Sequence, residues 1–473
     1  MHTNRTAQEQ DVELAAIRFV CDLFGRNRHL SEGPVITPIA DDALAAIARE
    51  GIPTHGRALD EVVREMQDAV VGCGSNLDHA RFMGFVPGPV TALSWLGDLI
   101  VSGYNRHAGG FANYPGGCMA EHSLLRWLCD QAGFPAEAGG TFVSGGSMAN
   151  MTAAVAARDA LLAPDSWHTG VAYLSDQAHS SVAKGLHIAG IAPSRIRILA
   201  CRDDFTLDTR ALRRAIEADR AAGLQPFFVA ATAGTTNTGT IDPLEDIAEV
   251  AHEHGLWMHV DGAIGASALL TSQRHLLAGV ERADSLSWDA HKWLFQTYSC
   301  AMLLMRDEST LARSLSVNPE YLKDLEDAAQ LTNPSNLSPE LTRPARGLKL
   351  WFTLQAMGSD ALAAAVEHGF DLARWAQDEL ERNPQVEIVS PARLAMVCFR
   401  YRPDGCSPDT LDELNARISR RMLDSGYAAI YTTELKGAKV LRICAIHPET
   451  REEEMRETVR RLNALCAEEL AKL

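Results

Sequence analysis

The chain has 473 residues, 46% hydrophobic and 22% charged, a balance typical of a soluble globular protein long enough for two or three domains. A formal net charge of −17 and the lack of any Lys/Arg block exclude the basic patches that nucleic acids and anionic membranes require, leaving a small molecule as the expected partner. Ten scattered cysteines without a Cys-x-x-Cys pair, no apolar signal core in MHTNRTAQEQ and no run near ~18 apolar residues predict reduced thiols, no metal site, no membrane span and a cytoplasmic location.

Residues 1–90 read as a helical segment, with apolar residues at three and four spacing in VELAAIRFVCDLF (12–24) and LDEVVREMQDAVV (59–71) around a Pro/Gly stretch at 33–38. These helices are short of partners, and packing on a second subunit or on their own domain are both open. Over 91–362, short strands alternate with helices: GGTFVSGG, GVAYLSD, RIRILA, PFFVAATAG, LWMHVDG, the run 282–287 and CAMLLMR. That alternation predicts an α/β domain with a mostly parallel seven-stranded sheet covered by helices on both faces. Each strand is apolar throughout and ends in small or polar residues, as expected where strand ends carry a site. Residues 363–473 change to helix (363–381), strand (394–401), helix (411–426), strand (438–446) and a charged last helix, a small C-terminal α+β domain.

The most informative stretch is SWDAHKW at 287–293, which sets Lys292 beside His291 after a strand; WMHVD at 257–261 ends a second strand in Asp261. A lysine and a carboxylate at two strand ends are what pyridoxal phosphate chemistry needs: the amine bonds the aldehyde, and the carboxylate keeps the ring nitrogen protonated. An ordinary lysine is protonated at neutral pH, so burial or nearby positive charge is expected to release its proton. Gly145, Gly146 and Ser147 follow a strand and open a helix, where N–H groups and the helix dipole suit a phosphate, although Gly-Gly turns also open helices without a ligand. His179 ends another strand and can stack on a ring, carry a proton or simply be satisfied locally. The loop holding Thr236 can be a plain turn, and Asp261 can cap the following helix.

These residues lie in segments that resemble the pyridoxal phosphate-dependent group II decarboxylases, whose members include the aromatic amino acid decarboxylases. The resemblance covers residue 77 to the C-terminus, through HARFMGFVPGP (79–89), FVSGGSMAN, SDQAHSSVAKG, AGTTNTGTIDPL, HVDGAIGAS, DAHKWLFQ, LTRPARGLKLWF and VLRICAIHPET. It implies a fold type I homodimer with active sites at the subunit interface, which favours the intersubunit reading of the N-terminal helices. It further implies Lys292 as the cofactor-bonding lysine, Asp261 as the pyridinium partner, His179 as the stacking residue and Ala263 as a contact under the ring. Gly146, Ser147 and His291 would hold the phosphate, Asp289 would stand next to it, and Thr236 would lie near the cofactor oxygen or ring.

Phe82, Phe85, Val86 and Pro87 align with the side-chain pocket of the aromatic enzymes, and His107 and Phe111 are expected from the neighbouring subunit; an aromatic or apolar substrate suits them, whereas Arg81 or Arg106 would favour an acidic one. Gly262 replaces the family's usual alanine, and Asp289 stands where the animal enzymes carry asparagine. The family's loop tyrosine, implicated in reprotonating the substrate carbon, has no counterpart in 325–342, which contains no tyrosine. The expected activity is decarboxylation of an L-amino acid to the amine. The rivals are decarboxylation with oxidative deamination, transamination with Arg442 as carboxylate clamp, and a non-catalytic cofactor-binding protein.

Overall fold

The computed structural model describes Arg18, residues 33–317 and residues 332–472. The helix predicted at 12–24 lies outside the described residues save for Arg18, as do residues 325–331 of the tyrosine-free segment. In chain order the elements begin with β1 (Ile36–Thr37), α1 (Asp41–Glu50), α2 (Leu59–Glu65), β2 (Gly74–Ser75), α3 (Ala92–Tyr104), α4 (Pro115–Gln131), β3 (Gly139–Val143), α5 (Gly146–Leu161), β4 (Gly170–Ser175) and α6 (Ser180–Ile188). They continue with β5 (Ile196–Leu199), α7 (Thr209–Ala221), β6 (Gln225–Thr232), α8 (Leu244–His254), β7 (Trp257–Asp261), β8 (Ser285–Trp288), β9 (Ala301–Met305) and α9 (Ser309–Leu315). The last part holds α10 (Leu348–Met357), α11 (Ser359–Leu380), β10 (Val386–Arg393), β11 (Met396–Tyr401), α12 (Pro408–Asp424), β12 (Tyr431–Leu435), β13 (Ala438–Cys444) and α13 (Glu452–Leu470).

Seven strands form the large sheet in the order β3-β9-β8-β7-β6-β4-β5. Only β9 runs against the others, so β3, β8, β7, β6, β4 and β5 all point their carboxyl ends at one edge. Alternate residues of these strands enter two separate cores: Tyr173, Val229, Val260 and Leu286 face one, while Leu174, Phe228, Ala230 and Trp257 face the other. Burial on both faces is why the strands read as unbroken apolar runs.

The second sheet is antiparallel in the order β10-β11-β13-β12. One face is covered by α11, α12 and α13 through Leu372, Ile418 and Val459 packing on Phe399 and Ile443. The other face turns toward the large sheet, where Cys398 and Val440 meet Phe205. Only β11 and β13, the inner pair, are legible as strands in the sequence. β10 and β12 are half-exposed edges, and β10 contains Pro391, so neither carries a strong apolar signal.

The segment before α3 is tied to this second sheet: Val35 and Phe82 pack on Ala429, and the Met83 N–H and C=O bond Ala429 and Cys444. By contrast α2 buries no residue, and Leu44, Ile47, Val62, Val70 and Val71 are exposed. No described helix is long and apolar enough to cross a membrane, and the nine described cysteines are free.

Candidate active site

A cavity of about 350 Å³ opens at the carboxyl edge of the large sheet, lined by Gly146, Ser147, His179, Thr236, Asp261, Ala263, Asp289, His291 and Lys292 together with Val86 and Tyr298. A second space of about 370 Å³ adjoins it, sharing Val86, His179, Thr236 and Lys292 and adding Phe85, Tyr431 and Arg442. The four strand-end motifs therefore meet at one place, as the crevice rule for open α/β sheets requires. A larger cleft of about 730 Å³, which includes Asp242 and Arg393, contains none of the predicted site residues.

Asp261 ends β7 almost fully buried and is held from three sides. Asn150 Nδ2 donates to Oδ2 at 3.0 Å, while Ser287 Oγ and the Ala263 N–H donate to Oδ1 at 3.2 Å each. Behind Asn150 a relay fixes its orientation: Asn150 Oδ1 faces His259 Nε2 at 3.0 Å, His259 Nδ1 meets Ser285 Oγ at 2.8 Å, and Trp257 Nε1 donates to that same hydroxyl at 2.9 Å. The donors assign His259 as the neutral Nε2–H tautomer. Burial supports this by pushing its pKa down to about 4. Sequence reasoning missed Asn150 and His259 as site residues, because their role appears only when α5, β7 and β8 are packed side by side.

His179 caps α6: the Ser181 N–H donates to Nδ1 at 3.2 Å and Ser181 Oγ lies 2.7 Å from the same nitrogen. Since Ser181 Oγ also accepts from Asn150 Nδ2 at 2.9 Å, its own hydrogen points at Nδ1 and the ring keeps its proton on Nε2.

Lys292 sits in the turn after β8, anchored by Trp293, whose buried indole packs on Phe370 at 5.3 Å between ring centroids. Its Nζ lies 2.8 Å from Asp289 Oδ2. Burial works to lower the lysine's pKa, but the carboxylates of Asp289 and Asp261 outweigh it and hold the ammonium above its ordinary range. Burial thus acts in the expected direction but is opposed, and the residue chiefly responsible, Asp289, is the one that departs from the animal pattern. His291, with Nε2 at 3.6 Å from the same Asp289 oxygen, is shifted downward, chiefly by burial.

The N–H groups of Gly146 and Ser147, first in α5, have no acceptor among the described residues, and buried Asp289 Oδ1 has no partner. A Cβ at Gly146 would come within 3.0 Å of Asp289 and 3.4 Å of Ala263, so the cradle is kept open by glycine. Free amide donors at a helix start and an imidazole suit a phosphate, an amine suits an aldehyde, and the buried Asp261 carboxylate suits a protonated ring nitrogen, so the residues present fit a phosphorylated pyridine aldehyde. Gly262 is equally committed: an alanine there would meet Leu286, Ala266 and the Ser287 carbonyl at 2.8–3.0 Å, so this chain has packed around the glycine.

Of the residues expected in the side-chain pocket, Val86 and Phe85 line the cavities. Phe85 is 58% exposed, its backbone at φ +50°, and stacks on Tyr431 at 4.7 Å. Phe82 is instead buried against Val35 and Ala429, and Pro87 is buried without lining either space. His107 is exposed and Phe111 is buried, its N–H donating to Asn333 Oδ1 at 2.8 Å; neither lines either of these two spaces. Arg442 reaches the second space from β13. It is 7% exposed, its Nε has no partner, and its Nη2 touches the Met396 sulfur at 3.5 Å, with no carboxylate partner among the described residues.

Residues 43–402 match the family model described as the pyridoxal-dependent decarboxylase conserved domain. The chain is 37% identical over 443 residues to an aromatic-L-amino-acid decarboxylase of Bacillus atrophaeus, covering 93% of this chain and 92% of that one. It is also 29% identical to a phenylacetaldehyde synthase of Arabidopsis thaliana, with 93% and 92% covered. Among solved structures, Oryza sativa TDC with PLP and tryptamine superposes with a TM-score of 0.92 at 30% identity over 99% of both chains.

Proposed function

The chain belongs to the pyridoxal-dependent decarboxylase family, and from that membership we propose that Lys292, Asp261 and His179 carry the decarboxylation of an L-amino acid whose side chain is aromatic. The enzyme is a pyridoxal phosphate-dependent amino acid decarboxylase. When bound, that cofactor supplies an electron sink for the pair released as the substrate's carboxyl group leaves. The observation that carries the assignment of roles is the meeting of Lys292, Asp261 and His179 in one cavity beside the unpaired N–H groups of α5.

In this reading Gly146, Ser147 and His291 hold the phosphate, with Thr236 and Ala263 bounding the ring. Asp261, fixed by Asn150, Ser287 and the Ala263 N–H, keeps a negative charge facing the ring nitrogen. His179 Nε2 presents its proton to the cavity, and the unpaired guanidinium of Arg442 draws a carboxylate to the side of Lys292. Phe85, Val86 and Tyr431 offer an apolar wall to the side chain. The reading also includes a homodimer: the bare apolar faces of α1 and α2 need a cover, and His107 and Phe111 serve the partner's cavity. Light scattering then reads about twice the 51.4 kDa chain mass, and an active single chain overturns the dimer. Scattered free thiols suit a cytoplasmic site of action, and secretion of active enzyme into an oxidising compartment would refute that.

The test is carbon dioxide release from a panel of L-amino acids by the wild-type and K292A proteins. Aromatic residues should lead the panel, and K292A should lose both turnover and the visible absorbance of the bound cofactor. Preference for glutamate or aspartate sinks the aromatic assignment, and steady turnover by K292A sinks the role of Lys292. A second reading, release of carbon dioxide with oxidation to an aldehyde, is supported by the missing tyrosine in 325–342 and by the similarity to an aldehyde synthase; peroxide formed in step with product would favour it.

A further inference from the structure

Loss of carbon dioxide breaks the bond between the substrate's α-carbon and its carboxyl carbon and leaves the electron pair on the α-carbon side. Formation of an amine then requires a proton at that carbon, from an acid within the cavity. Among the described residues, two phenols border the two spaces: Tyr298 in the first, with Lys292 and Asp261, and Tyr431 in the second. Tyr431 is engaged as a stacking surface for Phe85. Tyr298 is placed differently. Its ring leans on His291 at 4.9 Å, and its hydroxyl is so close to Gly88 that a side chain there would meet it at 2.7 Å. That hydroxyl has no hydrogen-bond partner among the described residues, so none of them competes for its proton. His179 Nδ1 is taken by Ser181, which leaves its Nε2–H and the Lys292 ammonium as the rival acids of the cavity, and serine and threonine hydroxyls are far weaker acids than a phenol.

We propose that Tyr298 is the acid that delivers the proton to the substrate α-carbon after carbon dioxide leaves, the duty for which 325–342 offers no tyrosine. The Tyr298 O–H bond breaks, a C–H bond forms on the α-carbon, and the phenolate regains a proton from water at the open mouth, where more than half of the side chain is exposed. The sum is one amino acid and one solvent proton giving one amine and one carbon dioxide. An ordinary phenol is already protonated at neutral pH, and the partial burial of Tyr298 shifts it further up while Lys292 pulls the other way. The inference rests on the decarboxylation reading and goes beyond it by naming the donor.

The test compares wild type, Y298F and Y321F as holoenzymes, measuring carbon dioxide, amine and peroxide from the best aromatic substrate. Tyr321 is included because it lies outside the described residues. Wild type should give one amine per carbon dioxide. Y298F should keep the absorbance of bound cofactor but lose at least tenfold in amine per carbon dioxide. The unprotonated carbon is then diverted to dissolved oxygen: one oxygen and one water per amino acid give one aldehyde, carbon dioxide, ammonia and peroxide. In Y321F the ratio should stay at one. A ratio of one in Y298F, at any rate of turnover, overturns the proposal, as does a fall in Y321F instead. If Y298F does not load cofactor, a fluorinated tyrosine at 298 replaces it. Its more acidic phenol should move the alkaline limb of the amine-forming pH profile to lower pH, and an unmoved limb overturns the proposal. A wild-type protein that releases no carbon dioxide from any aromatic amino acid would sink the decarboxylation reading itself, which the product ratio distinguishes from failure of the donor alone.

Discussion

The two sides of the cavity are built on different principles. The side on the large sheet is rigid and internally satisfied: Asp261 takes three hydrogen bonds, Asn150 is pinned by His259, and His259 is pinned by Ser285. The opposite side is gathered from residues 85–86, β12 and β13, with Phe85 largely open to solvent and Arg442 without a counter-charge among the described residues. A wall that must orient a fixed group for bond cleavage profits from preorganised polar contacts. A wall that only receives a side chain can be made of loosely held apolar surface and completed by whatever covers it.

Substitution on each side should give effects of different kind and size. N150A removes the donor to Asp261 and strands His259 Nε2–H in the interior, where an orphaned polar group costs about 1–3 kcal/mol. Its apparent cofactor affinity should fall by about tenfold or more and its thermal midpoint should drop; titration of cofactor absorbance and a melting curve check both, and unchanged values would mean the relay is idle. F85A should do less. The ring is mostly exposed in one chain, so its loss should raise KM for an aromatic substrate a few-fold, about 1 kcal/mol of apolar contact, with kcat nearly unchanged. A collapse of kcat in F85A would show that this side shapes the reaction and does more than receive the side chain.

The contrast also explains what was readable in advance. Lys292, Asp261, His179 and Gly146 each follow a strand that is apolar from end to end, and a buried parallel sheet leaves no choice but to bring such strand ends to one edge. The alternation of strands and helices announced the seven-stranded sheet for the same reason. The edge strands β10 and β12 were not readable, since half-exposed strands carry neither an unbroken apolar run nor clean alternation.

The sequence by itself therefore determined the large sheet, the cofactor class and the lysine, carboxylate and histidine at its edge, because these depend on local pattern and residue chemistry. Tertiary structure decided the rest: that Phe82 is core and Phe85 is not, that Asp289 opposes the deprotonation of Lys292, that Asn150 and His259 stand behind Asp261, and that Tyr298 lines the cavity with Lys292. Each of these depends on which side chains end up within a few ångströms across elements far apart in the chain, where burial and charge act through distance in space and leave no periodic trace along the sequence.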